Sequence, residues 1–447
     1  MLTQQHAIEA PLLAPDPAIP YRDLLLDAGA TAAHLGGLLG ADIGVDDVSL
    51  VRAKYRIGES LRVSYSVDLG GIAQRCTARV FQRGESARAH RKALRDVACA
   101  PGGRPGVLHD PDADAVWWLF PNDRRLRDID RVSGAHPTLA GELGLDGWRS
   151  SAVAEYAPER SLTVRAADHR GDAVAYVKAY APDTVDTAAL THRYAAVAAW
   201  LAERDGRVRS PRPLGRSRSG DILALEALPG GQWGSLPADE LLPALHRLGQ
   251  AIATLHDIPL DGPLATTQPF GRLLPRRVVH SAELVRLARP ELAARLADLA
   301  GALASGPPPG DDRVFLHGDC HPKNALVDGA DLALIDLDQA GLGSPAADIA
   351  SLIARLLHGV VLGEHTADTA TSARDAFLDG YATRRALPTA ASLGWHTVAA
   401  LVAERAIRAV NRVNHTSLAS LDALVDLAHE QLARTQKPRT QKQGDLP

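Results

Sequence analysis

The chain of 447 residues carries 49 Lys and Arg against 53 Asp and Glu, a net charge of −4, with 46% hydrophobic and 23% charged residues. That length accommodates two to four domains with substantial cores, and the composition excludes general disorder. No apolar run approaches the ~20 residues of a membrane span, and a weakly acidic chain with 4% aromatics and no basic stripe excludes a nucleic-acid surface.

In chain order, residues 1–20 are rich in Pro and Ala without a period and, like the polar 436–447, are expected to be flexible tails. Glu9 and Asp16, with no Lys or Arg beside them, argue against a secretory leader. Cys76, Cys99 and Cys320 show no CxxC spacing, which points to a reducing, cytoplasmic setting without disulfides or a cysteine-built zinc site. Only six of the 49 basic residues are Lys, so a Lys inside an apolar strand-like segment stands out.

The front half contains an internal repeat. KYRIGESLRV (54–63) and EYAPERSLTV (155–164) align at an offset near 101, matching Tyr55 with Tyr156, Leu61 with Leu162 and Val63 with Val164. Each copy continues with a turn, a second strand-like run (Cys76–Phe81; Ala173–Tyr180), a helix-like segment with His-Arg-x-Ala (His90–Ala93; His192–Ala195) and a closing strand pair. The second copy carries Lys178 in Val177-Lys178-Ala179-Tyr180, where the first has Arg79 in Ala78-Arg79-Val80-Phe81. The first copy is therefore read as a degenerate version of the second. From about 235 the pattern turns helical, with three- and four-residue apolar spacing over Leu241–Leu255, Glu283–Leu303, Leu393–Val413 and Leu418–Leu432. A strand, turn and strand (Val314–Leu316; Ala325–Ile335) interrupt the helices, after the linker Gly306–Gly310. This is the order of a two-lobed α+β enzyme.

The interrupting segment concentrates the chemistry. VFLHGDCHPKN (314–324) is a short strand entering a polar loop, and LALIDLDQAGLGSPAADIA (332–350) is a strand delivering Asp336 and Asp338. Two strand ends on one side of a hairpin bring Asp319, Asn324 and Asp336 together. Phosphoryl transfer needs such a set: a carboxylate for the attacking hydroxyl, and oxygen ligands for Mg²⁺ against the phosphates. Asp319 and Asn324 are five apart, the spacing of HRDxxxxN in kinases, and Asp336 follows 12 residues later.

HGDCHPKN (317–324), IDLDQAGLGSPAADIA (335–350), Lys178 in YVKAY and ILALEALPGG (222–231) resemble the aminoglycoside phosphotransferase family, small-molecule kinases with a protein-kinase-like fold. The resemblance spans roughly 150–435. It implies an α+β bilobal fold: a nucleotide-binding N-lobe (150–232) and a helical C-lobe (233–435) holding the acceptor cleft. Ahead of them stands an extra β-rich domain (21–145) resembling a degenerate second N-lobe. It also implies Mg²⁺ and ATP or GTP as donor. By the resemblance Asp319 is the catalytic carboxylate, Asn324 and Asp336 are the metal ligands, and Lys178 neutralises the nucleotide phosphates. Glu226 and Leu228 belong to the hinge against the base, and Arg160 and Ser161 to the turn covering the phosphates. His317 and Asp348 brace the catalytic loop. His321 is open between bracing the loop and touching phosphate, and Asp338 between a second metal contact and accepting backbone amides. A departure from the family is that helix 188–201 lacks an acid for Lys178, leaving Glu203, Asp186 or a lysine held otherwise.

The expected partner is a small-molecule hydroxyl acceptor such as a sugar, amino sugar, aminoglycoside-like molecule or other natural product; the first copy is read either as a cap on the active site or as a surface for homodimer formation. Asp422, Asp426 and Glu430 form an acidic stripe, read either as a draw for cationic acceptors or as a solvated helix face. Trp395, His396, Glu404 and Arg408 are candidates for the cleft edge. The competing readings are a non-catalytic regulatory module and a kinase for peptide hydroxyls.

Overall fold

In the computed structural model, the described residues are 12–436 except 96, 98–102, 205, 232, 262, 263 and 266. Most of both expected tails, and Cys99, lie outside the described residues. Two compact units emerge: Met1–Ala198 with Pro211–Leu228 and Val410–Asn414, and Ala199–Ser210 with Pro229–Ala409 and His415–Pro447. Among the described residues no helix is long and apolar enough to cross a membrane.

The first unit holds two five-stranded antiparallel sheets. One contains β1 (Val48–Arg56), β2 (Ser60–Asp68), β3 (Ala73–Val80), β4 (Val107–Asp110) and β5 (Ala115–Leu119) in the order β1-β2-β3-β5-β4. The other starts with β6 (Ser150–Ala157), β7 (Ser161–Ala167) and β8 (Ala173–Tyr180). After the short β9 (Val208–Arg209), which pairs in the other unit, it is completed by β10 (Pro213–Arg216) and β11 (Ile222–Glu226), in the order β6-β7-β8-β11-β10. The two orders are the same. Register extends the correspondence: Arg62 of β2 faces Arg79 of β3, as Thr163 of β7 faces Lys178 of β8. Both His-Arg-x-Ala segments are helical, within Ser86–Ala93 and Thr187–Arg204.

Period-two alternation decides which face each side chain takes. In β8, Ala175, Val177 and Ala179 are buried, so Lys178 stands on the opposite face. The buried face packs on Leu126, Ile129, Val132, Leu139, Leu143, Leu145 and Trp148, forming one core with Tyr156, Leu162, Val164, Ile222 and Ala224. The segment 126–148, expected partly within the first copy, therefore completes the core of the second sheet.

In the second unit, helices Leu241–His256 and Ala367–Ala382 cross at two glycines. A Cβ at Gly249 would come within 2.1 Å of the Phe377 carbonyl oxygen, and the Gly380 backbone lies equally tight against His246. The remaining strands are short: β12 (Val314–Leu316), β13 (Ala325–Asp328), β14 (Asp331–Leu334) and β15 (Gly341–Gly343). β12 pairs with β15, and β13-β14-β9 form a three-stranded sheet whose hairpin carries the polar motif.

Candidate active site

β12 is wholly buried (Val314, Phe315, Leu316) and ends where the polar loop begins. The chain can turn there because Gly318 adopts φ +78°, and a Cβ at that position would lie 2.1 Å from the Gln339 carbonyl oxygen. The loop then closes in a short 3₁₀ turn, Pro322–Asn324.

Its brace is Asp348, 1% exposed, in the first turn of helix Ala346–Val361. The carboxylate accepts from the His317 amide at 2.7 Å and the Gly318 amide at 2.9 Å. It also contacts His256 Nε2 at 3.1 Å, while His256 Nδ1 meets the Tyr381 hydroxyl at 2.9 Å. Burial pushes the Asp348 carboxyl up, but the His256 bond, the two nearby imidazoles and the Gly318 amide outweigh it and hold the group below the usual range. His317 departs from the expectation of a side-chain brace. Both its ring nitrogens are buried without a hydrogen-bond partner among the described residues, and only its backbone joins the network.

Asp319 has differently occupied oxygens. Oδ2 accepts from Asn324 Nδ2 at 3.3 Å and lies 3.6 Å from His321 Nε2; Oδ1 meets Arg272 at 3.3 Å. Burial opposes its ionisation, yet His321 and the Arg272 charge prevail and hold the carboxyl far below the ordinary range. Asn324 Nδ2 also donates to the Asp319 carbonyl at 3.0 Å. His321 Nδ1 accepts from the Lys323 amide at 3.1 Å, which is a loop brace.

The Ile335 amide donates to the Asn324 carbonyl at 2.9 Å, extending the β13–β14 ladder and setting Asp336 beside Asn324. Asp336 takes φ +64°, an uncommon conformation for a non-glycine residue, and leads into the turn Leu337–Gln339 containing Asp338. Among the described residues no group of three or more His, Cys, Asp and Glu could hold a metal by itself. Asn324 and Asp336 instead offer two hard oxygens, a donor set suited to a Mg²⁺ ion that completes its shell with phosphate and water.

The expected nucleotide residues lie in the first unit. Lys178 is in mid-sheet between Thr163 and Leu223, with its ammonium 6.0 Å from the Tyr180 ring. Asp186, one of its two candidate partners, caps helix Thr187–Arg204 by accepting from the Ala188 and Ala189 amides, both at 3.0 Å. Glu226 pairs side-on with Arg212 at 2.9 and 3.0 Å, and its amide donates to the Arg212 carbonyl at 2.9 Å. That amide is thus committed within the sheet edge, and Leu228 follows two residues on. Arg160 and Ser161 form the β6–β7 turn, with the Arg160 carbonyl accepting from the Ala181 amide at 2.8 Å.

Between Arg160 and Pro158 stands Glu159, which the sequence offered only as a repeat position aligned within one residue of Glu59. Its Oε2 meets Arg79 at 2.5 Å, Arg124 at 3.0 Å and Arg62 at 3.2 Å, and its amide donates to Asp123 at 2.9 Å. The acidic stripe is neutralised rather than open: Arg295 pairs with Asp422 and Asp426 at 2.5 Å each, and Glu430 lies 3.9 Å from Arg434. Arg272, His256, Tyr381 and Asp123 also escaped the sequence, since each reaches its partner across long separations. Trp395 and His396 are buried.

The model of the Phosphotransferase enzyme family (APH) matches residues 159–401, more than half of the chain. An aminoglycoside 3'-phosphotransferase of Niallia circulans is 29% identical over 223 residues, covering 45% of this chain and 80% of that protein. Among solved structures, macrolide 2'-phosphotransferase MphH from Brachybacterium faecium is 20% identical with a TM-score of 0.44, covering 69% of this chain and 100% of its own. Aminoglycoside phosphotransferase APH(4)-Ia is 14% identical with a TM-score of 0.48, covering 68% and 99%. With the motif loop, the hairpin carboxylate and the family match in agreement, the chain belongs to the phosphotransferase enzyme family.

Proposed function

We propose that the protein transfers the γ-phosphoryl group of ATP or GTP to a hydroxyl of a small molecule, with Asp319 orienting that hydroxyl. The observation carrying this reading is the Asp319–Asn324 contact after β12, with the Ile335 amide bonded to the Asn324 carbonyl one residue before Asp336. The acceptor oxygen forms a bond to the γ-phosphorus as the bond from that phosphorus to the β,γ-bridging oxygen breaks, and nucleoside diphosphate leaves. The hydroxyl proton passes to Asp319 and then to solvent. A carboxylate held this far below its ordinary pKa is a weak base early in the reaction, so its main contribution is a hydrogen bond that aims the nucleophile. Asn324 and Asp336 would hold Mg²⁺, which supplies charge neutralisation at the β- and γ-phosphates. Lys178 adds a fixed positive charge for the phosphates, and the β6–β7 turn with Arg160 and Ser161 covers them. The first sheet, with the same strand order and Arg79 in the place of Lys178, acts as a degenerate copy without a nucleotide of its own.

Replacing Asp319 by Ala tests the assignment. Turnover in a coupled Mg-nucleotide assay is expected to fall by at least about 10³, while the dissociation constant for Mg-nucleotide stays within about threefold. Wild-type-like turnover in the purified variant would overturn it.

A further inference from the structure

The two oxygens of Asp319 face different surroundings. On the Oδ2 side stand Asn324 and the loop; on the Oδ1 side, Arg272 bridges from Asp319 to Glu404, 3.3 Å from each carboxylate. Glu404 and Arg405, each 4% exposed, belong to a π-helical turn, Leu401–Ala406, inserted between α-helical stretches. Such turns are frequent at functional sites. Helix Ala346–Val361 presents Ser351, Arg355 and His358 at spacings of four and three, one face, and Ser351 donates to Glu404 at 2.7 Å.

The charge on this side does not balance. Arg272, Arg355 and Arg405 stand against Asp319 and Glu404, three cations to two anions, and the exposed Arg408 adds its charge from the solvent side. Glu404 is already committed to Ser351, Arg272 and Arg405. The buried Nε atoms of Arg355 and Arg405 and the buried Nε2 of His358 have no hydrogen-bond partner among the described residues. Burial, then Arg405 and Arg408, push the Arg355 guanidinium down to about 10, against the partial relief of Asp319 and Glu404. Buried cations in excess of their counter-charge are costly, and unpaired donors such as the Arg355 and Arg405 Nε atoms add to the cost. An anionic group docking there would relieve both, and Arg is the side chain suited to carboxylate and phosphate.

We infer that the hydroxyl acceptor is itself an anion, carrying a carboxylate or phosphate that docks on Arg355 and Arg405 while its hydroxyl lies at Asp319. This rests on the phosphotransferase reading of Asp319 and narrows its substrate class. A cationic acceptor would meet like charge on this side, and the neutralised stripe at Asp422 and Asp426 offers it no counterpart.

The test is the full chain with MgATP against a matched series: D-glucose, D-glucosamine, D-gluconate and D-glucose 6-phosphate. One of the two anions is expected to show a kcat/KM about 100-fold above the neutral and cationic sugars, gluconate marking a carboxylate and glucose 6-phosphate a phosphate. Arg355→Gln should raise KM for that anion by about 10- to 100-fold with kcat within about threefold, and Arg355→Lys should recover part of the loss. In parallel, calorimetry on the Mg-AMP-PNP complex titrates in each anion and inorganic sulfate; binding weakened by Arg355→Gln supports the inference even without turnover. Turnover of glucose or glucosamine at or above the anions overturns it and leaves the kinase reading intact. So does the absence of turnover combined with no anion binding at millimolar concentration. The AMP-PNP titration itself, run first, reports separately on the kinase reading.

Discussion

Asp319 illustrates how one residue is placed by partners far along the chain. Its own neighbourhood supplies Asn324 and His321, and both were legible from an eight-residue motif because a tight loop brings such neighbours together. The meeting of Arg272, Ser351 and Glu404 was not legible, although Glu404 stood among the cleft candidates, because it depends on how the turn before helix Pro275–Ala288 and two separate helical segments come together. His358 shows the same dependence. Burial, then Arg405, Arg355 and Arg408, push its imidazole down to about 4 from 6.5. Below pH 6.5 the unfolded chain therefore binds a proton that the folded chain excludes. This contribution to stability is complete above about pH 6.5 and declines as pH falls toward 4, by about 2 kcal/mol after allowing for solvent screening. Urea unfolding of the wild type and His358→Gln across this range should diverge: the variant's stability is expected to fall less on acidification. Parallel curves would refute the assignment.

Among the elements, the β6–β7 turn is the most informative. Gly58 holds the left-handed position of the β1–β2 turn at φ +71°, and its counterpart at the offset of 101 is Glu159, at φ +60°. A non-glycine residue there costs on the order of 1 kcal/mol. The three guanidiniums on the Glu159 carboxylate offset that strain, and two of them, Arg62 and Arg79, come from the first sheet. Burial alone would raise the Glu159 carboxyl, but Arg79, Arg62 and Arg124 hold it below its ordinary value. Glu159→Gln leaves three arginines facing a neutral amide and is expected to lower stability by about 2–4 kcal/mol. Chemical denaturation at pH 7 measures this, and a change below about 0.5 kcal/mol would show that the turn is held otherwise. The duplicated sequence pattern predicted two similar turns. It could not predict that a side chain of one would be gripped by the sheet of the other, since that contact spans 80 residues of sequence from Arg79.

For the whole molecule, the first sheet and the second belong to one compact unit, and the segment 126–148 completes the core of the second sheet. A chain beginning at residue 150 loses that segment along with the first sheet, whereas one beginning at residue 122 keeps it. The shorter chain is expected to lack a cooperative thermal transition and the longer to retain one at reduced temperature; equal melting of both would contradict the shared core. Sequence by itself determined the strand-rich then helical order, the duplicated pattern and the catalytic motif, because alternation, helical periodicity and tight-loop spacing are local properties of the chain. Tertiary structure alone decided the Arg272 contact of Asp319, the His256 contact of Asp348, the arginines on Glu159 and the crowding of arginine beside the proposed acceptor site. Each of those depends on charges and hydrogen-bonding groups brought together from distant segments, where burial sets their energies and spacing along the chain does not.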